Sequence, residues 1–382
     1  MRWTLVAISL AGCGRWDFDE LPTGDAGLPP RVVELSHRGT AVCVRSSDGR
    51  VACWGGNDQG QLGRGSGAAT GAPELLALSN IVRIATAENA AFAIDADGAL
   101  WGWGGNQFGQ LGLGRTSPTE QTPQLVTIAP VVDVASGENH TCAITRQGGE
   151  LYCWGNNQCG QLGTGDTMQS WTPRQVPGVS GARDITVHDQ QTCFIDSTGM
   201  AQCFGAPYVA NDTCQGLRLT PTPPVGLGPV VDIAGGCHLS MCAADSSGDA
   251  WCWGDDVAGV LGNGPVMETV DPSPVETVTN IKKIRTGYIA SCAVNQTNDV
   301  FCWGANTEGE LGIGNMSIGQ ANAPLQLPFF NGVVVDQIET GCTSTCVRSG
   351  SDIYCWGENE WAVIDDTTVN AFSPRKILGL PF

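Results

Sequence analysis

Seventeen cysteines and four histidines carry most of the reactive chemistry in this 382-residue chain. Twelve of the cysteines fall into six closely spaced pairs: Cys43 with Cys53, Cys142 with Cys153, Cys193 with Cys203, Cys242 with Cys252, Cys292 with Cys302, and Cys346 with Cys355. Thiols at this spacing can form disulfides between two strands joined by a tight turn, because opposed residues on antiparallel neighbours stand about 4.5–5.5 Å apart at Cα. They are poorly placed for zinc, which needs about four ligands at one point, whereas these pairs recur a whole repeat apart. A seventh corresponding position carries Phe92 and Gly102, so both partners are absent together. Loss in concert is what a covalent bond predicts. The expected worth of each bridge is about 2–3 kcal/mol. Cys159, Cys214, Cys237 and Cys342 stand outside the scheme. Cys214 can pair with Cys159 or with Cys237 between neighbouring units, and either choice leaves room for a free thiol.

The histidines point away from catalysis. His37, His140, His188 and His238 are distributed a repeat or so apart, which predicts structural roles. There is no Ser-His-Asp spacing, no H-E-x-x-H segment and no P-loop. Gly60–Gly65 (GQLGRG) has the composition of a phosphate loop, but it recurs several times without a strand–helix context. No D-x-D-x-D-G calcium loop occurs. No enzyme activity, cofactor or metal is expected. Net charge is −19, from 19 Lys and Arg against 38 Asp and Glu. A nucleic-acid binder needs a basic stripe to displace counterions, and the longest basic run is Lys282-Lys283, so no nucleic-acid partner is expected. The acidity suits a basic partner.

The cysteine pairs sit in a repeat. The aromatic residues of the Cys-Trp-Gly motif, Trp54, Trp103, Trp154, Phe204, Trp253, Trp303 and Trp356, recur every 49 to 53 residues. Residues 131–176 show one unit. VVDVASG, HTCAIT, ELYCWG and TPRQV read as four short strands, with a Gly turn after the second and a long Gly-rich loop (NNQCGQLGTG) after the third. One such sheet has two apolar faces and cannot bury both alone. Stacking seven copies around an axis does so, which predicts an all-β, seven-bladed β-propeller of about fifty-residue four-stranded repeats. In the Gly-Gln-Leu-Gly loop the Leu is expected to fill space between blades. The Asn or Asp three residues after the anchor (Asn57, Asn106, Asn157, Asp256, Asn306, Asn359) is expected to tie the loop backbone.

This CWGxN…GQLGxG string with its upstream HTCA-type strand resembles the regulator-of-chromosome-condensation repeat family, over residues 31–382. The resemblance implies a seven-bladed propeller. Unit four (AQCFGAPYVANDTCQG) departs most from the pattern. The nucleotide exchange known in that family is not carried over, because no segment here matches an exchange element and the cysteines indicate an oxidising compartment. At the N-terminus, MRWTLVAISLAGC resembles a bacterial lipoprotein signal ending at a lipidated Cys13, with a core too short to span a bilayer. The expected organisation is therefore a signal over 1–13, an acidic Gly/Pro tether over 14–30 and a propeller over 31–382. The expected location is the outer membrane or cell surface, or the secreted fraction.

Function is then expected to reside on a loop rim. Phe108, Tyr208 and Trp361 are large aromatics in otherwise polar loops, and residues of this kind anchor interfaces. The expected function is a non-enzymatic, lipid-anchored, monomeric scaffold binding a protein or glycan through one rim. Two other readings stand beside it: an inhibitor of an extracellular enzyme, and a hydrolase or lyase using the channel. Carboxylates clustered at one channel mouth favour the enzyme, and a broad aromatic rim favours the binder.

Overall fold

The computed structural model describes residues 28–210, 213–264 and 268–382. Cys13 and most of the expected tether lie outside the described residues. Among these residues the chain forms seven four-stranded antiparallel sheets, each built from strands that follow one another in the chain except in blade 4, where a short hairpin comes before the fourth strand. Blade 3 is representative: Val131–Ser136, His140–Thr145, Leu151–Gly155 and Ser170–Gln175. The first strands of all blades pack side by side around the axis and line a central channel. A short hairpin, Tyr208–Ala210 with Thr213–Gln215, is added in the loop of blade 4. No helix among the described residues is long and apolar enough to cross a membrane.

The repeat motif explains how blades lock. The anchor rings are buried, and the indole N–H groups donate to the preceding blade. Trp103 bonds Gln61 O, Trp154 bonds Gln110 O and Trp303 bonds Val260 O, each at 2.8 Å. The acceptor lies in the Gly-Gln-Leu-Gly loop. That loop's last glycine lies under the incoming ring: a Cβ on Gly112 would stand 2.8 Å from Trp154 Nε1, and its φ of +75° already disfavours a side chain. The loop leucines Leu62, Leu111, Leu162, Leu261 and Leu311 are 0% exposed. Asn157 Oδ1 accepts the Leu162 amide at 3.0 Å, and its Nδ2 donates to Asp166 O at 3.0 Å, so one side chain ties both sides of the loop. Asp256 repeats the amide bond to Leu261 in blade 5.

The ring closes without an exchanged strand. Blade 1 uses only residues from Val32 onward and blade 7 only residues up to Lys376. The same device that locks the other blades seals the joint: Trp54 Nε1 donates to Val363 O at 2.8 Å. His37 Nε2 and Ser344 Oγ add a bond at 3.0 Å, and Asp366 accepts the Gly71 amide at 2.8 Å.

Each of the six expected cysteine pairs lies directly opposed on the second and third strands of its blade, with the sulfurs joined. Cys43 is bonded to Cys53 in blade 1, Cys142 to Cys153 in blade 3 and Cys193 to Cys203 in blade 4. Cys242 is bonded to Cys252 in blade 5, Cys292 to Cys302 in blade 6 and Cys346 to Cys355 in blade 7. The paired Cα atoms stand 4.1–4.2 Å apart, closer than the 4.5–5.5 Å expected for opposed residues. In blade 2 Phe92 and Gly102 occupy the same opposed positions. A Cβ on Gly102 would come 2.8 Å from the Phe92 ring. The ring thus fills the space that a disulfide fills elsewhere, and the joint loss has a steric as well as a covalent reason. Of the two pairings open to Cys214, the structure has Cys159 bonded to Cys214, Cα atoms 5.5 Å apart, linking the loops of blades 3 and 4.

Candidate functional site: the loop face and the channel mouth

In a blade of four antiparallel strands, the hairpin between strands one and two and the loop between strands three and four emerge on the same face. Contacts agree with the grouping: Gln110 of a blade 2 loop donates to Glu138 O of the blade 3 hairpin at 3.2 Å. This loop face holds a channel mouth at its centre and the rim expected from sequence at its edge.

The channel is polar. Its strongest ring consists of the strand-one residues that pair two positions beyond the strand-two cysteine or its equivalent: Glu34, Arg83, Asp133, Asp184, Asp232, Lys283 and Gln337. All but Asp133 line a cavity of about 230 Å³. Opposite charges alternate enough to pair. Arg83 meets Asp133 at 3.0 Å, and Asp232 meets both Lys283 and Arg285 at 2.9 Å. Asp184, between the two paired aspartates, has no cation at salt-bridge distance among the described residues. Burial, then the Asp133 and Asp232 charges, pushes its pKa up to about 7.

A raised carboxyl pKa sets the sign of its effect. Ionising Asp184 costs stability, and the cost grows from the unfolded carboxyl pKa of about 3.9 up to about pH 7 and is constant above. Asp184→Asn is therefore expected to stabilise the protein by roughly 2 kcal/mol at pH 8, allowing for solvent screening. Urea unfolding should show no gain at pH 4.

At the loop-face mouth, Arg38 stands where most blades have a small residue. Its guanidinium crosses the channel and donates to Val187 O at 2.7 Å and to Gly236 O, on blades 4 and 5. Just outside it lies one equivalent residue from each strand one–two hairpin: Gly39, Glu88, Glu138, Asp189, Cys237, Tyr288 and Cys342. Glu88, Glu138 and Asp189 bring carboxylate oxygens within 4.8 Å of one another. Burial, and then the Asp189 charge, raises Glu88 well above the usual range. Burial, and then Glu138, raises Asp189 to about 6. Cys237 and Cys342 are thiols and hydrogen-bond to each other.

The histidines are ties between elements. His37 Nδ1 bonds Ala41 O at 3.0 Å, and burial lowers its pKa to about 4. His140 Nε2 bonds Thr192 Oγ1 of the next blade at 2.8 Å, and burial lowers its pKa to about 3. His238 lies 3.6 Å from Asp255 and packs edge-on against Tyr288.

The rim differs in detail from expectation. Phe108 is 36% exposed on the blade 2 loop. Trp361 is half-buried and packs on the core shared by blades 7 and 1, so it is a structural closure residue. Tyr208 opens the short extra strand; its side chain lies outside what the structure describes. Other exposed apolar side chains take up the rim: Met168, Trp171, Leu217, Val270, Met316, Ile318 and Val369. Trp171 lies against Gly109, beside Phe108. These residues fall at the end of the loop or the start of strand four, beyond the anchor-plus-five position that Phe108 and Trp361 share. The signal that marks them is the start of each fourth strand, not the distance from the anchor.

Fold and site together define a seven-bladed propeller whose anchors dock on neighbouring loops and whose variable residues collect on one face. A family profile described as the regulator of chromosome condensation (RCC1) repeat matches residues 48–94, 97–144, 148–195 and 298–348, and a second profile of that description matches 131–161 and 281–310. The chain belongs to this family. It is 27% identical to the ultraviolet-B receptor UVR8 of Arabidopsis thaliana over 89% of this chain and 80% of the receptor. It is 29% identical to the human E3 ubiquitin-protein ligase HERC2 over 87% of this chain but spans only 7% of the ligase. Among solved structures, yeast RCC1 (Prp20) bound to Kap60 superposes with a TM-score of 0.75 at 20% identity, covering 99% of this chain and 91% of that one. Human WBSCR16 superposes with a TM-score of 0.73 at 19% identity, covering 86% and 94%. At these identities the structures share the fold.

Proposed function

We propose that this protein is a non-enzymatic recognition scaffold, held to the bacterial surface by a lipid on Cys13, that presents its loop face to a basic protein surface. One observation carries the reading: the loop face combines exposed apolar side chains with carboxylates not neutralised by their neighbours. Its arginines are already committed, Arg115 to Glu120 at 3.0 Å and Arg174 to Asp166 at 2.9 Å. Glu308 and Glu360 stand exposed among them. A centre of apolar anchors with a charged surround is how protein interfaces are built. The paired cysteines support an oxidising compartment. The Cys13 anchor rests on the N-terminal sequence.

The double substitution Phe108→Ala with Trp171→Ala removes two neighbouring aromatic anchors from the surface. It is expected to weaken capture of a surface-extract partner at least tenfold while leaving the melting temperature within about 2 °C. Retained capture would end the rim assignment. A partner that proves to be a glycan would end the protein assignment, and one that is an enzyme, inhibited on binding, would narrow the reading to an inhibitor.

A channel-mouth hydrolase is favoured by one observation, the group of Glu88, Glu138 and Asp189 with two raised carboxyl pKa values. Against it, Arg38 closes the channel directly beneath, so the carboxylates do not open onto the cavity behind. The scaffold reading accounts for more of the face.

A further inference from the structure

Fourteen cysteines are already joined in the structure, which leaves Cys237 and Cys342 among the described residues. They belong to blades 5 and 7, which are not neighbours. Each is the second residue of its hairpin, counted from the end of strand one. The hairpin of blade 6 between them carries Tyr288, whose ring turns outward to His238. The corresponding residue of blade 1 is Gly39, which has no side chain to separate them. The Cys342 amide donates to Gly39 O at 3.2 Å, and the Tyr288 amide donates to Cys342 O at 3.1 Å. These bonds fix Cys342 between the blade 6 and blade 1 hairpins, and the Cys237 thiol reaches both the Cys342 thiol and the Gly39 backbone. Cys237 is 5% exposed and Cys342 is half-buried.

We propose that Cys237 and Cys342 form a dithiol that small hydroperoxides oxidise to an eighth disulfide, stapling blades 5 and 7 across the channel mouth. Cys237 is the attacking sulfur. Burial opposes its ionisation, but the shared hydrogen bond with Cys342, the Arg38 charge and a backbone bond to Gly39 outweigh burial and lower its pKa. The same pairing raises Cys342, which keeps the shared proton. The Cys237 thiolate attacks one peroxide oxygen; an S–O bond forms, the O–O bond breaks, and the leaving oxygen takes from solvent the proton that Cys237 gave up on ionising and departs as water or alcohol. Cys237 is then a sulfenic acid. The Cys342 sulfur attacks it, the S–S bond forms, the S–O bond breaks and the oxygen leaves as water with the Cys342 proton. Two thiols lose two electrons to the hydroperoxide. The burial of Cys237 suits an oxidant of this size and excludes bulky disulfides.

The test uses the full-length protein and hydrogen peroxide, with proteolysis under non-reducing conditions and mass spectrometry. The expected result is a linked species containing the Cys237 and Cys342 peptides, with alkylation of both thiols falling together at least tenfold. A linked species present before treatment should disappear with native-state dithiothreitol and return with peroxide. Cys342→Ser should stop the reaction at a dimedone-reactive Cys237 and yield no linked species. Oxidation should raise the melting temperature by several degrees in the wild type and not in this variant. Two results overturn the proposal: Cys237 passing to sulfinic acid while Cys342 stays alkylatable, or neither thiol reacting at peroxide levels that oxidise free cysteine.

Discussion

Trp154→Ala should destabilise the propeller by about 3–5 kcal/mol, the range for deleting a fully buried large aromatic. The ring is 0% exposed and packs between blades 2 and 3, where it touches the core of the preceding blade rather than its own sheet alone. Gly112 beneath the ring has no side chain to move into the space. The lost hydrogen bond is the smaller part. Gln110 O also accepts from Thr141 Oγ1 at 2.8 Å, so it keeps a partner. Blade 4 supplies the internal control. There Phe204 occupies the anchor position and lies over Gly163 as Trp154 lies over Gly112. Trp154→Phe should accordingly cost only about 1–1.5 kcal/mol, one buried hydrogen bond plus a little volume. Urea midpoints of the two variants separate packing from hydrogen bonding. Equal losses would mean that the indole N–H, not the ring, locks the blades.

That contrast also shows what can be read from the chain alone. The constant spacing of the anchors, the glycines around the loop leucine and the opposed cysteines are local signals repeated in register, and each repetition reinforces the others. Seven blades follow from them. So do the six bridges: Cys43 and Cys53, or Cys346 and Cys355, are close in sequence because a single turn separates their strands. Cys159 and Cys214 lie 55 residues apart, and only the meeting of two loops from adjacent blades selects that bond. The paired positions Phe92 and Gly102 are legible as a missing bond, and the structure adds a ring filling its place. Trp361 shows the limit. Its distance from the anchor marks it as a rim aromatic, but it lies at the ring closure, where the blade 7 loop has lost its glycines and seals against blade 1. The channel mouth is less legible still. Glu88, Glu138, Asp189, Cys237 and Cys342 hold one position of the repeat on separate hairpins, but they are carboxylates in some blades and thiols in others, so the position carries no recognisable motif. Only closure of the ring brings them together. The blade 5 hairpin carries one extra residue between Gly235 and Met241, yet Cys237 and Cys342 still stand at equivalent positions before strand two; what the chain alone does not show is that these positions, two blades apart, meet.

The largest electrostatic effect is expected from Asp232→Ala, a loss of about 3–5 kcal/mol at pH 7, the scale for removing one partner of a buried pair. Asp232 is 1% exposed, accepts the Ile284 amide at 2.8 Å and faces both Lys283 and Arg285 at 2.9 Å. Alanine leaves a buried amide unsatisfied and leaves Lys283 without its carboxylate, while Arg285 keeps Glu339 at 3.0 Å. The pH dependence runs opposite to that of Asp184, one blade away at the equivalent position. Burial alone would raise the Asp232 pKa, but the Arg285 and Lys283 charges outweigh it and hold the carboxyl below its ordinary value. The stabilisation is therefore fully present above the unfolded pKa of about 3.9 and fades as pH falls through the lower folded value. Asp232→Ala should hurt most at neutral pH and progressively less in acid, whereas the gain from Asp184→Asn should be absent at pH 4 and complete only above neutrality. Asp232→Asn, which keeps an acceptor for Ile284, should lose less than alanine. Unfolding free energies for the three variants between pH 3 and 8 test the point. If Asp184 and Asp232 respond alike, the channel charges act as a diffuse ring rather than as the specific pairs seen in the structure.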